Sequence, residues 1–400
     1  MRLLHSVLAM LPNTNKPQRK FLGHLIGLLL MFPGHATFRN LSRYSHYHEK
    51  TFARQFATPC DFVALNQAAI TEVVPKDHEQ ALVMDTSFLA KSGKHTYGLD
   101  RFWNSTHGRA ERGLEVSVLG WVDITHNSAY SLSVEQTPPT QEAEPDQTRI
   151  DAYLHQLTRV VTHYRLQPLQ YVLTDGAYSK EKFVQGVRAL QLHQIGKLRS
   201  DANLRYLYTG PRRPGPGRPQ QYDGKVDWRD LSRFDRVEAD AEGVVLYCKT
   251  VNHVQFKRNV RVVQVVDTRS NRSALLFSTD VELPATTIYR YYKARFQVEF
   301  LFREAKQFTG LNDCQARSQA KLHFHYNASL TAVTVAKLAA RQETADQAST
   351  FSMASLKRRA FNQHLLDRIL ATLAEGTLLE KCSPAYEQLC YYGTIDDMAA

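Results

Sequence analysis

Two apolar runs that each end on an acid constrain this chain most. Residues 81–85 (ALVMD) and 169–175 (LQYVLTD) read as short strands closed by Asp85 and Asp175. A short apolar run bounded by turn residues is what a strand covered on both faces requires. Between them, residues 113–125 and 128–136 look like two longer strands, with His126 and Asn127 near the turn. Residues 149–166 have helical periodicity. After Asp175 come a helix over 180–192 and a further strand over 194–198. The order is three strands, helix, strand, helix, strand.

That is the order of an RNase H-like α/β fold, in which the first and fourth strands are neighbours. Asp85 and Asp175 then face each other at the carboxyl ends of strands, where open α/β sheets bind ligands. The next core helix does not follow at once. Residues 209–219 (TGPRRPGPGRP) cannot form regular structure. Strand-like runs over 243–250, 260–267 and 273–278 follow and mark a β-rich insertion, residues 201–280. The core, begun over 79–200, resumes over 281–342. Basic helices extend into a C-terminal region, 343–400.

The resumed core opens on residues 292–306, read as one helix between Pro284 and the stop at Gly310. An α-helix turns about 100° per residue, so Tyr292, Arg295, Glu299 and Lys306 share one polar stripe. Alone, the stripe reads as a solvated face in which Arg295 and Glu299 form an i,i+4 ion pair. With the two aspartates in fold order, Glu299 becomes the third acid of a cluster. Three carboxylates repel unless cations sit between them, and hard oxygen ligands suit Mg²⁺ or Mn²⁺. Two such ions can stabilise both the attacking and the leaving oxygen of a phosphodiester. Asp123 and Asp280, at similar strand ends, are rivals. Asp175-Gly176-x-Tyr178 allows a tight turn with an aromatic behind it.

Lysine and arginine outnumber acids by 50 to 39, giving a formal charge of +11 and a pI near 9.3. That excess suits a polyanionic partner such as nucleic acid. The 5 cysteines are odd in number and scattered, so they make neither a disulfide framework nor a zinc pattern, and a reducing cytoplasm is the simplest compartment. The apolar run 21–32 is too short to span a bilayer, and it starts too late for a signal peptide. No membrane partner is expected.

Residues 1–78 read as helical, with helices over 3–11, 20–32, 36–44 and 46–56, the last capped by Ser45. The pair over 36–56 suggests helix-turn-helix, with Lys50 and Arg54 on the DNA-facing helix. An ordinary small helical bundle is the other reading.

The spacing Tyr292-x2-Arg295-x3-Glu299-x6-Lys306 resembles the Y-R-E-K signature of DDE transposases from bacterial insertion sequences. The blocks Asp85-Thr86-Ser87 and Asp175-Gly176-x-Tyr178 resemble the same group's first and second aspartate blocks. The resemblance covers residues 81–340, including a β-rich insertion before the glutamate helix. It implies that Asp85, Asp175 and Glu299 bind two catalytic Mg²⁺ ions, with Mn²⁺ able to substitute. It implies cleavage of double-stranded DNA at terminal inverted repeats and transfer of the freed 3′-OH into target DNA. Tyr292, Arg295 and Lys306 would hold phosphates. Trp228 is a candidate for stacking on a displaced base, against the plainer reading of a buried insertion tryptophan. Arg212, Arg213 and Arg218 could lie along a DNA backbone, against the plainer reading of a flexible linker. A synaptic homodimer, contacting through helices after residue 340, is expected, as is action on nucleoid DNA in a prokaryotic host. The alternatives are an RNase H-like metal-dependent nuclease without strand transfer and a non-catalytic DNA-binding relic of a transposon.

Overall fold

The computed structural model describes residues 2–12, 14–140, 147–164, 166, 169–212, 218–239, 243–270, 272–344, 351–374 and 383–390. Five helices open the chain: α1 (Arg2–Met10), α2 (Lys16–Leu29), α3 (Phe38–Arg43), α4 (Glu49–Gln55) and α5 (Phe62–Val73). Side-chain caps set the starts of α2 to α5 by accepting N–H groups that have no partner within the helix. Asn15 accepts from the Gln18 N–H at 2.9 Å, Thr37 from Asn40 at 3.2 Å and Asp61 from Ala64 at 2.9 Å. His48, not Ser45, caps α4, its Nδ1 accepting from the Lys50 N–H at 3.2 Å. The helix expected from residue 46 therefore begins at Glu49 and has only 7 residues. Ser45 instead accepts from the Tyr47 N–H and pairs with His24. No separate helix was expected where α5 forms.

The core strands and helices follow in chain order: β1 (Gln80–Ala90), β2 (Asp100–Asn104), β3 (Arg109–Asp123), β4 (Ser128–Gln136), α6 (Arg149–Tyr164), β5 (Tyr171–Thr174), α7 (Glu181–Ala189) and β6 (His193–Leu198). In space the five main strands lie β4-β3-β1-β5-β6. β1 is antiparallel to β3 and parallel to β5, which is parallel to β6. This is the RNase H-like arrangement. The unexpected β2 pairs with the first residues of β3, beyond the end of β4.

The β-rich segment comprises β7 (Leu204–Leu207), β8 (Tyr222–Lys225), β9 (Asp235–Glu238), β10 (Val244–His253), β11 (Arg258–Asp267) and β12 (Arg272–Ser278). It forms no sheet of its own. β12 pairs antiparallel with β6, with Leu275 opposite Leu198 and Ser278 opposite Ile195. The inserted strands thereby continue the core sheet across what would be its edge.

Helices α8 (Ala285–Ala294), α9 (Gln297–Phe308), α10 (Gln319–Thr344), α11 (Met353–Ala374) and α12 (Pro384–Cys390) complete the chain. The single helix expected over 292–306 is two helices. At the break the N–H groups of Phe296, Val298 and Glu299 bond to Lys293, Arg295 and Phe296, each at 3.1 Å. These i→i−3 bonds tighten the chain into a 3₁₀ turn. Arg295 and Phe296 keep right-handed backbone angles, so the apolar periodicity carries no trace of the break.

α10 forms the centre of the helical layer. Every residue from Phe324 to Leu338 is buried. A helix covered on all sides needs its polar groups satisfied from outside. Asn327 accepts from the Val134 N–H at 3.1 Å and donates to the Val134 carbonyl at 2.8 Å. Thr334 accepts from the Ser131 N–H at 2.8 Å. These three bonds cover part of the free edge of β4, which would otherwise present unpaired backbone groups. Among the described residues, no helix is long and apolar enough to cross a membrane.

Candidate active site

Asp85 does not end its strand. β1 runs on to Ala90, and Asp85 lies at its middle. The parallel pairing with β5 does end there, with Met84 opposite Thr174 as its last pair. Asp85 and Asp175 are each the next residue, so they leave two neighbouring strands at the same level. Beyond them β1 is paired on one side only, by β3. Asp175 is held by its own turn: its Oδ1 accepts from the Ala177 N–H at 2.9 Å, capping a 3₁₀ turn over Gly176–Tyr178. Tyr178 anchors that turn from below, buried with its ring 5.1 Å from both Tyr153 and Phe183.

The tightened turn between α8 and α9 places Arg295 against this pair. Its Nη1 donates to Asp85 Oδ2 at 3.2 Å and its Nη2 to Glu299 Oε1 at 3.0 Å. The Arg295 side chain is 13% exposed, whereas Glu299 is 44% exposed and open to solvent. The Arg295 Nε–H is buried without a partner among the described residues. Tyr292 flanks the guanidinium, ring centroid to Cζ 5.6 Å.

The electrostatics follow from burial among like charges. Burial pushes the Asp85 carboxyl up to about 7; Asp175 and Glu299 push the same way, while Arg295 and the Thr86 N–H oppose. Burial works against the Arg295 charge, but Asp85, Tyr292 and Glu299 more than offset it and hold its pKa above the ordinary value. Burial raises the Tyr292 phenol.

Three carboxylates gathered round a metal were expected. Among the described residues, no three His, Cys, Asp or Glu side chains are so grouped. Arg295 stands between Asp85 and Glu299 instead, a fixed cation supplied by the chain. The donor set itself suits a hard divalent cation: it is all oxygen, and Asp85 feels both other carboxylates. Lys306 is also placed differently from expectation. Its Nζ donates to the Phe88 carbonyl at 3.0 Å, tying α9 to β1, and burial lowers its pKa.

Asp175, Tyr292 and Arg295 line a cleft of about 810 Å³, and Trp228 and residues of β11 and β12 line it too. Trp228 is half-buried, its ring 5.7 Å from Phe234, so it packs on the inserted segment and also faces the cleft. Lys180, Lys197 and Arg199 line the same cleft. No motif marks these three in the sequence; Lys180 follows Asp175 closely in the chain, while Lys197 and Arg199 come beside it only through the pairing of β5 with β6. Arg212 and Arg218 are exposed, the latter donating to Gln221 at 3.1 Å, and Arg213 lies outside the described residues. Lys50 and Arg54 are exposed on α4 and do not line the cleft.

The rival acids are otherwise engaged. Asp123 is fully buried against Arg341 at 2.6 Å and His78 at 2.8 Å. Asp280 accepts from the Tyr171 hydroxyl at 2.8 Å.

The family model for DDE superfamily endonucleases matches residues 7–245. The chain belongs to this family. The matched span includes Asp85 and Asp175 and ends before Glu299. The chain is similar to a piggyBac transposase solved as a synaptic complex with hairpin DNA, at 11% identity and a TM-score of 0.45, over 100% of this chain and 82% of that one. No curated protein matches it.

Proposed function

We propose that this DDE endonuclease is a transposase of the insertion-sequence type carrying the Y-R-E-K signature. It cuts double-stranded DNA at the ends of its element and joins the freed 3′ ends to target DNA. The observation that carries the reading is the common level of Asp85 and Asp175 on neighbouring strands, with Glu299 linked to Asp85 through Arg295.

Asp85, Asp175 and Glu299 are the residues that would hold Mg²⁺, or Mn²⁺ in its place. Two bound ions supply Lewis-acid stabilisation of the attacking and leaving oxygens. The chain's own groups do the rest. A phosphodiester entering the cleft competes with the carboxylates for Arg295, whose planar fork suits two phosphate oxygens. Tyr292 holds the guanidinium from the side. Lys306 keeps Glu299 in place by fixing α9 on β1. Lys180, Lys197 and Arg199 offer charge to the backbone of the strand being cut. Trp228 offers a face on which an unpaired base could stack, in the cleft that Tyr292 and Arg295 also line. Lys50, Arg54, Arg212 and Arg218, exposed outside the cleft, are available to flanking duplex. Two copies, joined through the C-terminal helices, would act on both element ends together, on nucleoid DNA in a prokaryotic cytoplasm.

The test is incubation of purified protein and Mg²⁺ with DNA carrying the element's ends and a target plasmid. Joined products are expected alongside 3′-OH ends. Hydrolysis without joining would replace the transposase by a nuclease. Tight, salt-sensitive binding without any cutting would point to a relic.

A further inference from the structure

A second basic surface lies at the far end of β1, outside the cleft. It is a groove of about 670 Å³. It is lined by Arg39 of α3, Lys50 of α4, Arg317, just before α10, and Lys321, in the first turn of α10. Glu49 is the single acid among the lining residues, against these four cations.

The walls are fixed to each other and to the catalytic strand. Asp313 crosses between them, accepting from the Ala36 N–H at 2.8 Å and pairing with His35 Nδ1 at 2.9 Å. Lys91, the residue after β1, donates to the Cys314 carbonyl in the groove floor. The Tyr97 N–H donates to the Arg317 carbonyl at 2.9 Å. Little ordering is left to be done when a ligand arrives, which favours binding.

We infer that this groove grips the sugar-phosphate backbone of duplex DNA at a set distance from the bond that is cut. The inference rests on the reading of Asp85 as part of the cutting site. From Asp85 to Ala90 the strand advances about 17 Å, at roughly 3.3 Å per residue. A duplex advances about 3.4 Å per base pair. DNA lying along β1 with its cut phosphate at Asp85 therefore reaches the end of β1, where Lys91 ties to the groove, roughly five base pairs further on. Four cations from three helical segments around one open groove match a charged backbone, and backbone contacts of this kind fix register without reading sequence. The short α4 then serves as part of a clamp, not as a helix laid in the major groove.

The experiment measures binding of a random-sequence duplex of about 30 base pairs between about 50 and 200 mM salt. The Arg39→Ala/Lys50→Ala/Arg317→Ala/Lys321→Ala variant should bind at least about tenfold more weakly at low salt. Its log K against log salt slope should flatten by about 0.9 for each phosphate no longer neutralised. Lys76→Ala, at the opposite end of β1, should match wild type, and the Arg39→Lys/Arg317→Lys variant should keep the wild-type slope. Melting temperatures of all variants control for folding. Ethylation interference on an element-end duplex should fall about five base pairs from the cut. Wild-type slope and affinity in the quadruple variant, or interference confined to the cleaved end, would overturn the groove while leaving the transposase reading intact. Failure of wild-type protein to bind duplex at all would instead remove the DNA reading on which the groove depends.

Discussion

Asp123→Ala removes the anion from a buried ion pair and should cost about 3–5 kcal/mol of stability. The structure sets the size. Asp123 has no exposed side-chain surface and Arg341 only 7%. Oδ2 meets Arg341 Nη1 at 2.6 Å and His78 Nδ1 at 2.8 Å, and Oδ1 accepts from the His126 N–H at 3.0 Å. Without the carboxylate, Arg341 loses its shortest charged contact and keeps longer ones to the Tyr130 hydroxyl at 3.5 Å and His78 Nδ1 at 3.4 Å. Arg341→Met should cost less, about 2–3 kcal/mol, because His78 and the His126 N–H still serve the carboxylate. The double variant should lose less than the sum of the singles, with a coupling of about 1–3 kcal/mol. Thermal melting and urea unfolding of the four proteins measure this. Melting of Asp123→Ala at the wild-type temperature would refute the reasoning. Wild-type stability combined with loss of DNA cleavage would go further and make Asp123, not its rivals, a catalytic acid.

Three other outcomes are expected. Burial, helped by His46 and Lys20, pushes the His24 imidazole down from 6.5 to about 4. A pKa lower in the folded state means the unfolded chain binds the extra proton, so stability is complete above 6.5 and falls as pH drops toward 4; the melting temperature should fall over that window and His24→Asn should flatten the fall. Gly310 has φ +74°, and a Cβ there would lie 2.4 Å from Ala36 Cβ and 2.6 Å from Asp313 Oδ2. Gly310→Ala should therefore cost more than about 1 kcal/mol, and an unchanged melting curve would contradict the strain. Trp228→Ala should slow end cleavage by roughly 10- to 100-fold through loss of stacking, while Trp228→Phe stays near wild type and neither changes binding of intact duplex.

What the sequence revealed follows its physics. β4 has an unbroken buried run from Ala129 to Val134 and was legible to the residue over Ser128–Gln136. β1 was legible only to Asp85, because its second half is paired on one side, half-buried and polar at Thr86 and Ser87. β7, β8 and β9 have only 4 residues each, too few for an alternation to stand out, and β8 and β9 are also almost wholly polar. The polar stripe of Tyr292, Arg295 and Glu299 was visible from helical spacing. The 3₁₀ turn that drives Arg295 between the carboxylates was not, since it alters hydrogen bonding without changing the side-chain pattern. Arg341 as the partner of Asp123 was equally hidden, because the pair is 218 residues apart in the chain.

The most direct test compares cleavage of element-end DNA in Mg²⁺ by Asp85→Asn, Asp175→Asn, Glu299→Gln and Asp280→Asn, with DNA binding measured beside it. The account predicts that the first three each lose about 10³-fold or more in rate, roughly 4 kcal/mol of barrier, while still binding DNA. Asp280→Asn should cut at close to the wild-type rate. Wild-type cutting by Glu299→Gln, or loss of cutting in Asp280→Asn with its fold intact, would contradict the assignment of the three acids.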